Sequence, residues 1–283
     1  MQKVKSLIEA RKEFSTQIKC EDHLAKMRWP NGVECPRCGS KAVTRLSTRR
    51  KWQCKKCRYQ FSVTAGTIFH KSHIDLPRWM MAVWLMCHSP KGVSSKQIER
   101  ELGVTYKTAW YMTQRIRTAM KHDIFEKKLC GIVEVDEAVV KADGGAAKGH
   151  ITYDAKNVFG MAERDGLLRM VVVDTLKIYE IKRVLAKNLG EVQAIYSDAT
   201  KKLRFLSQFA PHRYVAHAYD EYVLDDVHVN TIESAWSLFK RGLAGVFHHV
   251  NAKYLQDYLD EFAFRYSHRH ERHRLMDLAL ASC

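Results

Sequence analysis

Four of the eight cysteines lie in two C-x-x-C pairs, the spacing of a structural metal site. Cys35 and Cys38 form the first pair, and Cys54 and Cys57 form the second after fifteen intervening residues. Each pair delivers two thiolates to one side of an ion, and zinc prefers four such ligands in a tetrahedron. We therefore predict a structural Zn²⁺ site of the zinc-ribbon type. The other four cysteines lack this spacing and are predicted to be plain thiols.

Three acidic residues lie where a catalytic metal site could use them. Asp136 falls within the strand-like run GIVEVDEAVV, Asp198 ends the run VQAIYSD, and Glu233 lies in the helical run HVNTIESAWSLFKRGLAG. Adjacent strands would bring the two aspartates together, and carboxylate oxygens suit Mg²⁺ or Mn²⁺. Two such ions about 3.5–4 Å apart promote in-line phosphoryl transfer. Each acid taken alone would be assigned a structural role, so the prediction of a metal site rests on the three together.

A helix, glycine turn, helix pattern lies between the cysteines and the acids. Residues 94–102 and 105–120 have helical periodicity, Gly103 separates them, and Thr105 can cap the second helix. This is the pattern of a helix-turn-helix, whose second helix enters the DNA major groove. The alternative is an ordinary helical hairpin between domains. The candidate exposed contact residues are Lys107, Thr108, Tyr111, Arg115 and Arg117.

The positive charge of the chain is confined to its first half. Residues 1–130 hold 27 Lys+Arg and 10 Asp+Glu, a balance of +17, whereas residues 131–283 hold 20 and 21, a balance of −1. A basic half supplies sequence-independent affinity for nucleic acid. No apolar run approaches the roughly 20 residues of a membrane span, and no secretory signal is evident. These features predict a cytoplasmic, nucleoid-associated protein that binds double-stranded DNA and no membrane.

The elements that must position the acids form an α/β pattern. Three strand-like runs, a helix at residues 177–189 and a fourth strand precede the helix that carries Glu233, and the turn between the second and third strands contains Asp165-Gly166. Residues 141–150, rich in glycine and alanine, are predicted to form a flexible loop. A helix at residues 252–266 is expected to pack on the sheet.

Taken together, these motifs resemble the DDE transposases of bacterial insertion sequences, in the zinc-ribbon-bearing clade related to the Merlin elements. The resemblance covers nearly the whole chain and rests on the four cysteines, the helix-turn-helix, and the motifs VEVDEA, YSDA and HVNTIESAW. The interval between the aspartates is 61 residues, and 34 residues separate Asp198 from Glu233. A short second interval agrees with this family.

The resemblance implies an α/β RNase H-like catalytic domain preceded by a zinc ribbon and an α-helical helix-turn-helix DNA-binding domain. The expected boundaries are residues 1–68, 69–125 and 126–283. It assigns Asp136, Asp198 and Glu233 as catalytic acids that bind Mg²⁺ or Mn²⁺, with Asn230 and Lys240 close to the DNA. The implied activity is binding of terminal inverted repeats followed by DNA cleavage and strand transfer. Because two DNA ends must be joined, a homodimer or higher oligomer is expected.

Three other functions remain open at this level. A catalytically silent regulator would keep the zinc ribbon and the helix-turn-helix but would not cut DNA. A structure-selective nuclease of RNase H type would hydrolyse DNA without strand transfer and without preference for terminal sequences. A zinc-scaffolded interaction protein would show no salt-dependent DNA binding.

Overall fold

The computed structural model describes residues 6–46, 49–147, 150–198, 201–215 and 227–281. The described residues form two compact units. The first unit comprises the described residues up to Ser89, residues Ser95–Ala119 and the described residues from Glu271 onward. The second unit comprises the described residues of Pro90–Ser94 and Met120–His270. Within the described ranges, no helix has both the length and the apolar composition needed to cross a membrane.

The first unit begins with two short helices and a small antiparallel sheet. Ser6 and Thr16 cap the two helices, because each hydroxyl accepts a hydrogen bond from the backbone N–H three residues on. Trp29 packs edge-on against Trp52 and Phe61, with ring centroids 5.1 and 5.9 Å away. These aromatic rings fill the small core beside the sheet. The elements are α1 (Leu7–Glu13), α2 (Gln17–Arg28), β1 (Val43–Leu46), β2 (Lys51–Cys54) and β3 (Gln60–Phe61).

Four further helices belong wholly or partly to this unit. They are α3 (Leu76–His88), α4 (Ser95–Leu102), α5 (Tyr106–Glu126) and α9 (Leu275–Ala281). The predicted break is confirmed, because Gly103 adopts φ +62°, a left-handed conformation that glycine adopts without strain. The predicted cap is confirmed as well, since Thr105 Oγ1 accepts from the Thr108 N–H at 3.3 Å. The C-terminal α9 packs on α2 and α3, a contact that its sequence did not indicate.

The prediction that Arg117 is exposed is wrong. Arg117 is only 1% exposed, and Thr113, Ile116 and Met120 are also buried. Residues three and four positions apart share one face of a helix, so this set forms the buried face of α5. Arg117 is therefore removed from the candidate DNA contacts.

The second unit is built on one mixed five-stranded sheet with the strand order β6-β5-β4-β7-β8. The first three strands form the predicted antiparallel meander, and β7 and β8 run parallel to β4. Asp165 adopts φ +55° in the predicted turn between β5 and β6. The elements are β4 (Leu129–Ala147), β5 (His150–Glu163), β6 (Leu168–Val173), α6 (Ile178–Asn188), β7 (Leu189–Asp198), β8 (His212–Val215), α7 (Asn230–Gly242) and α8 (Leu255–Ser267).

The prediction of a flexible loop at residues 141–150 is wrong for the residues that are described. Strand β4 continues to Ala147, which pairs with His150 of β5, and the register shifts once between Asp143 and Gly145. Val140 and Ala142 are buried, so the alternation of a strand continues into this segment. The backbone ladder therefore overrides the loop-forming tendency of the glycines. Residues 148 and 149 lie outside the described ranges.

The two faces of the sheet have different coverings. Val133 and Val135 of β4 pack with Leu185 and its neighbours on α6 in one apolar cluster. Side chains alternate along a strand, so Glu134 and Asp136 point to the opposite face. Helix α7 lies against β4 and β5, and α8 packs on β6, as the sequence predicted for that helix.

Candidate active site

The four cysteines of the two C-x-x-C pairs converge within the first unit. Their sulfur atoms all lie within 4.8 Å of one another, and the Cys35–Cys57 and Cys38–Cys54 Sγ···Sγ distances are both 3.6 Å. A zinc ion with four Zn–S bonds of about 2.3 Å sets ligand sulfurs about 3.8 Å apart. The arrangement therefore fits one tetrahedral zinc ion.

A hydrogen-bonded backbone turn lies at each of the two C-x-x-C pairs. The Gly39 N–H donates to the Cys35 carbonyl at 2.9 Å, and the Arg58 N–H donates to the Cys54 carbonyl at 3.0 Å. Each of these turns ends in a residue with positive φ, +69° at Gly39 and +61° at Arg58. Backbone N–H donation from Cys57 lowers the pKa of the Cys54 thiol. A lowered pKa favours the thiolate, which is the form that binds zinc.

The two aspartates lie on neighbouring parallel strands of the second unit. Val135 of β4 pairs with Ser197 of β7, so the next positions along the two strands are Asp136 and Asp198. Adjacent strands are about 4.8 Å apart, and both aspartates fall on the same face by alternation. Asp198 is also the last residue of β7. The structure thus brings the two acids to neighbouring positions, as the sequence predicted.

Helix α7 brings the third carboxylate to this face. Its apolar side, with Ile232, Trp236 and Phe239, is buried, and the helix contacts β4 and β5. The residues of the neighbouring polar ridge are all exposed, and they are Asn230, Glu233, Ser237 and Lys240. Helix α7 therefore has a buried apolar stripe and, beside it, an exposed polar ridge.

The electrostatics of Asp136 show that the three acids share one environment. Burial raises the pKa of the Asp136 carboxyl, and the negative charges of Glu233 and Asp198 raise it further. The Glu137 N–H opposes the rise by donating to Asp136 Oδ1 at 2.8 Å. Over the described ranges, the cysteines form the one set of three or more potential ligands whose ligand atoms all lie within 4.8 Å. The carboxylates are therefore close but not tightly clustered.

The chemistry of these acids fits a hard divalent cation. All the donors are carboxylate oxygens, which Mg²⁺ and Mn²⁺ prefer. Like charges at short range disfavour one another, and a cation between them would remove that repulsion. The site thus has the donor type that a divalent ion prefers, and such an ion would reduce the repulsion between the carboxylates.

Gly160 allows α7 to approach the sheet closely beside Asp136. It pairs with Asp136 across β4 and β5. A Cβ at this position would lie 2.6 Å from Trp236 and 2.8 Å from Ile232, too close for any side chain. A larger residue would push α7, and Glu233 with it, away from the aspartates.

Glu134 is the residue near this site whose importance the sequence did not reveal. In the sequence it is one of two acids close to Asp136, for which a solvated or helix-capping role is expected, but the structure buries it completely. Its carboxylate accepts hydrogen bonds from Thr231 and Ile232 at the start of α7. One feature of the sequence could have indicated its role. Glu134 lies two residues before Asp136, so both side chains lie on the same face of the strand.

Four of the predicted DNA-contact residues lie in the first half of α5, and Asn230 and Lys240 lie on α7. Lys107 and Tyr111 are exposed, whereas Thr108 and Arg115 are partly buried. Arg115 donates to the His70 carbonyl at 3.1 Å and stacks on the Tyr111 ring at 5.2 Å. Arg115 and Tyr111 thus form a basic, aromatic surface, which their stacking and the hydrogen bond to His70 hold in place.

Sequence comparisons match both parts of the chain. The profile of the ISXO2-like transposase domain, of IS1595 type, matches residues 128–267, and that of the transposase zinc-ribbon domain, also of IS1595 type, matches residues 15–60. An uncharacterized protein in transposable element ISH50 of Halobacterium salinarum is 33% identical over 254 residues. The alignment covers 82% of this chain and 85% of that relative.

The class of protein follows from the order of its parts. A zinc ribbon comes first, and a mixed α/β domain that matches a transposase profile comes second, which is the organisation of an insertion-sequence transposase. The chain belongs to the IS1595 family of transposases.

The four-cysteine site predicts that Cys54→Ser abolishes stoichiometric zinc binding. Metal content should fall from about one zinc per chain to near zero, because a tetrahedral site cannot close on three thiolates. Since zinc binding supplies folding free energy, ribbon amides should lose protection in hydrogen exchange. Cys130→Ser, which changes an exposed thiol, is the matched control. Full zinc content in Cys54→Ser would contradict the assignment.

The close approach at Gly160 predicts that Gly160→Ala lowers the free energy of unfolding by about 1–3 kcal/mol, the usual range for overpacking. Urea denaturation of the wild type and the variant measures the change. Gly245→Ala serves as control, because a Cβ there meets nothing within 4 Å. Equal loss in the two variants would mean that contact with α7 is not the cause.

Proposed function

We propose that this chain is a DNA transposase that binds the terminal inverted repeats of its own insertion sequence and catalyses metal-dependent cleavage and strand transfer. Asp136, Asp198 and Glu233 are its catalytic acids. The observation that carries the proposal is the convergence of these acids. Asp136 and Asp198 follow the Val135–Ser197 pair on neighbouring parallel strands, and α7 lies against β4 with Glu233 close enough for its charge to add to the effect of burial on the pKa of Asp136. A structural role for each acid separately would not require them to converge.

The topology of the second unit supports an RNase H-like core. Three antiparallel strands continue into parallel strands β7 and β8, and helices cover the sheet. In this reading Asp136 occupies the central strand and Asp198 the end of the neighbouring strand. The boundaries expected from the sequence, at residues 68/69 and 125/126, remain part of the proposal.

Each side chain of the site has a defined task. Asp136 and Asp198 present oxygens from the rigid sheet, and Glu233 presents its carboxylate from α7, so the three would hold Mg²⁺ or Mn²⁺. When bound, these ions activate the attacking oxygen and stabilise the leaving oxygen of an in-line phosphoryl transfer. Lys240 is exposed on the ridge with Glu233, so its ammonium is available to a DNA phosphate. Asn230, at the start of that ridge, offers an amide that can donate and accept hydrogen bonds.

The first unit would supply DNA recognition. We assign α4 and α5 as a helix-turn-helix, in which Lys107, Thr108, Tyr111 and Arg115 face DNA. The exposed ammonium of Lys107 suits a phosphate contact, which sets affinity, whereas Tyr111 and Arg115 suit the reading of bases. The excess of basic residues before residue 131 supports this division of labour. Joining two ends would require a homodimer or a higher oligomer on DNA.

We expect Asp136→Asn, Asp198→Ala and Glu233→Gln to bind a duplex carrying the flanking DNA of this gene yet to cut it at least about a thousandfold more slowly. Gel analysis of nicked products in Mg²⁺ or Mn²⁺ measures the rate. Glu191→Gln, an exposed acid on the same strand as Asp198, should cut normally. Binding without cleavage by the wild type would instead favour the silent regulator, and cleavage that ignores the terminal sequence would favour the nuclease.

We expect Lys107→Ala to weaken binding of all duplexes to a similar extent and to reduce the slope of log K against log salt by about 1, because one phosphate contact is lost. Fluorescence anisotropy over a salt series gives the slope. Lys187→Ala, an exposed lysine on α6, should leave it unchanged. An unaltered slope for Lys107→Ala would remove this residue from the DNA interface.

A further inference from the structure

A buried carboxylate that takes no part in the proposed chemistry lies directly beside the three acids. Glu134 is 0% exposed, and both of its oxygens accept hydrogen bonds. Oε2 accepts from the backbone N–H groups of Thr231 and Ile232 at 2.7 and 3.1 Å. Oε1 accepts from the Thr231 hydroxyl at 2.8 Å and from Arg164 Nε at 3.1 Å, and His228 Nδ1 lies 3.3 Å away.

This carboxylate replaces the missing cap of α7. The N-cap position of the helix is Val229, whose side chain cannot accept a hydrogen bond. The first N–H groups of a helix have no partner within it, and they carry the positive end of the helix dipole. An ionised carboxylate from the sheet satisfies two of them with charge-assisted hydrogen bonds, which are stronger than neutral ones. Glu134 thereby fixes where α7 begins on the sheet.

The anchoring points occupy the same relative position on all three elements. Glu134 lies two residues before Asp136 on β4, and Thr231 lies two residues before Glu233 on α7. Arg164, which binds Glu134, also stacks on Tyr196 at 4.8 Å, and Tyr196 lies two residues before Asp198 on β7. The contacts of Glu134 and Arg164 thus connect β4, α7 and β7 at positions two residues before each proposed catalytic acid.

Such anchoring opposes the repulsion among the acids. Three like charges on one face favour any movement that separates α7 from the sheet. Glu134 is buried with both oxygens hydrogen-bonded, and this resists the movement, because releasing α7 would leave its carboxylate buried with fewer partners. The metal-binding arrangement would then exist before metal arrives and would not have to be assembled by it.

We propose that Glu134 is a positioning residue of this transposase. It acts through α7 to hold Glu233 beside Asp136 and Asp198, and it therefore sets the affinity of the site for divalent metal. The inference rests on the proposed function, since it assumes that the three acids bind the ion. It adds a fourth acidic residue, one that touches neither metal nor DNA.

The test is a Mn²⁺ titration of the full-length, zinc-loaded chain without DNA, with free Mn²⁺ measured by electron paramagnetic resonance. Glu134→Gln keeps the size of the side chain but removes its charge and points an amide N–H at hydrogen-bond donors. Loss of a residue that orients metal ligands typically weakens affinity 10–100-fold, and that is the expected result. Hydrogen exchange at the Thr231 and Ile232 amides should accelerate in the same variant.

Glu180→Gln is the matched control. Glu180 is likewise buried, and its oxygens accept from the backbone N–H groups of Asp174 and Thr175 at 3.2 and 3.0 Å. It belongs to α6, which packs on the opposite face of the sheet. This variant should lose stability and keep wild-type Mn²⁺ affinity.

A second pair of variants keeps the test decisive if Glu134→Gln does not fold. Thr231→Val removes the hydroxyl donor to Glu134 and retains the shape, so Mn²⁺ affinity should fall in the same direction by a smaller factor. Thr231→Ser retains the hydroxyl and should restore affinity. Equal affinity in the valine and serine variants would count against the positioning role.

The possible failures are distinguishable. Wild-type Mn²⁺ affinity in Glu134→Gln, together with lost affinity in Asp136→Asn, would overturn the inference and leave the metal site intact. Wild-type affinity in Asp136→Asn would overturn the metal site itself, and the inference with it.

Discussion

Repulsion among three carboxylates on one face of a sheet is the constraint on which the second unit depends. Burial raises the pKa of the Asp136 carboxyl, and the charges of Glu233 and Asp198 add to the rise. Two of the acids are fixed by strand pairing, which is rigid. The third sits on a helix that could move away. Much of the structure around α7 opposes that movement, through the anchoring of its first turn and the glycine beneath its apolar side.

The division of the sheet into two faces makes this arrangement possible. Alternation along β4 sends valines to the apolar cluster with α6 and acids to the face under α7. The cluster with α6 supplies one hydrophobic core, and α7 buries Ile232, Trp236 and Phe239 on the opposite face, which also holds the acids. Stability and proposed catalysis are thus carried by alternate residues of one strand.

The small sheet of the first unit needs a different source of stability. A three-stranded sheet with strands of two to four residues has too small a core to be stable alone. A zinc ion held by four thiolates would stabilise such a sheet in addition to its small aromatic core. On α5, the stacking of Arg115 on Tyr111 holds two of the proposed DNA-contact residues together.

The sequence by itself determined the features that depend on near neighbours along the chain. The zinc ligands, the break at Gly103, the cap at Thr105, the strand meander and the three candidate acids could all be predicted from spacing, periodicity and the resemblance they support. Only the tertiary structure decided which faces meet. The packing of α9 on α2 and α3 and the capping of α7 by Glu134 join segments distant in sequence, and the burial of Arg117 was not apparent from the sequence. No local pattern encodes such contacts, because their free energy arises only when two elements pack together.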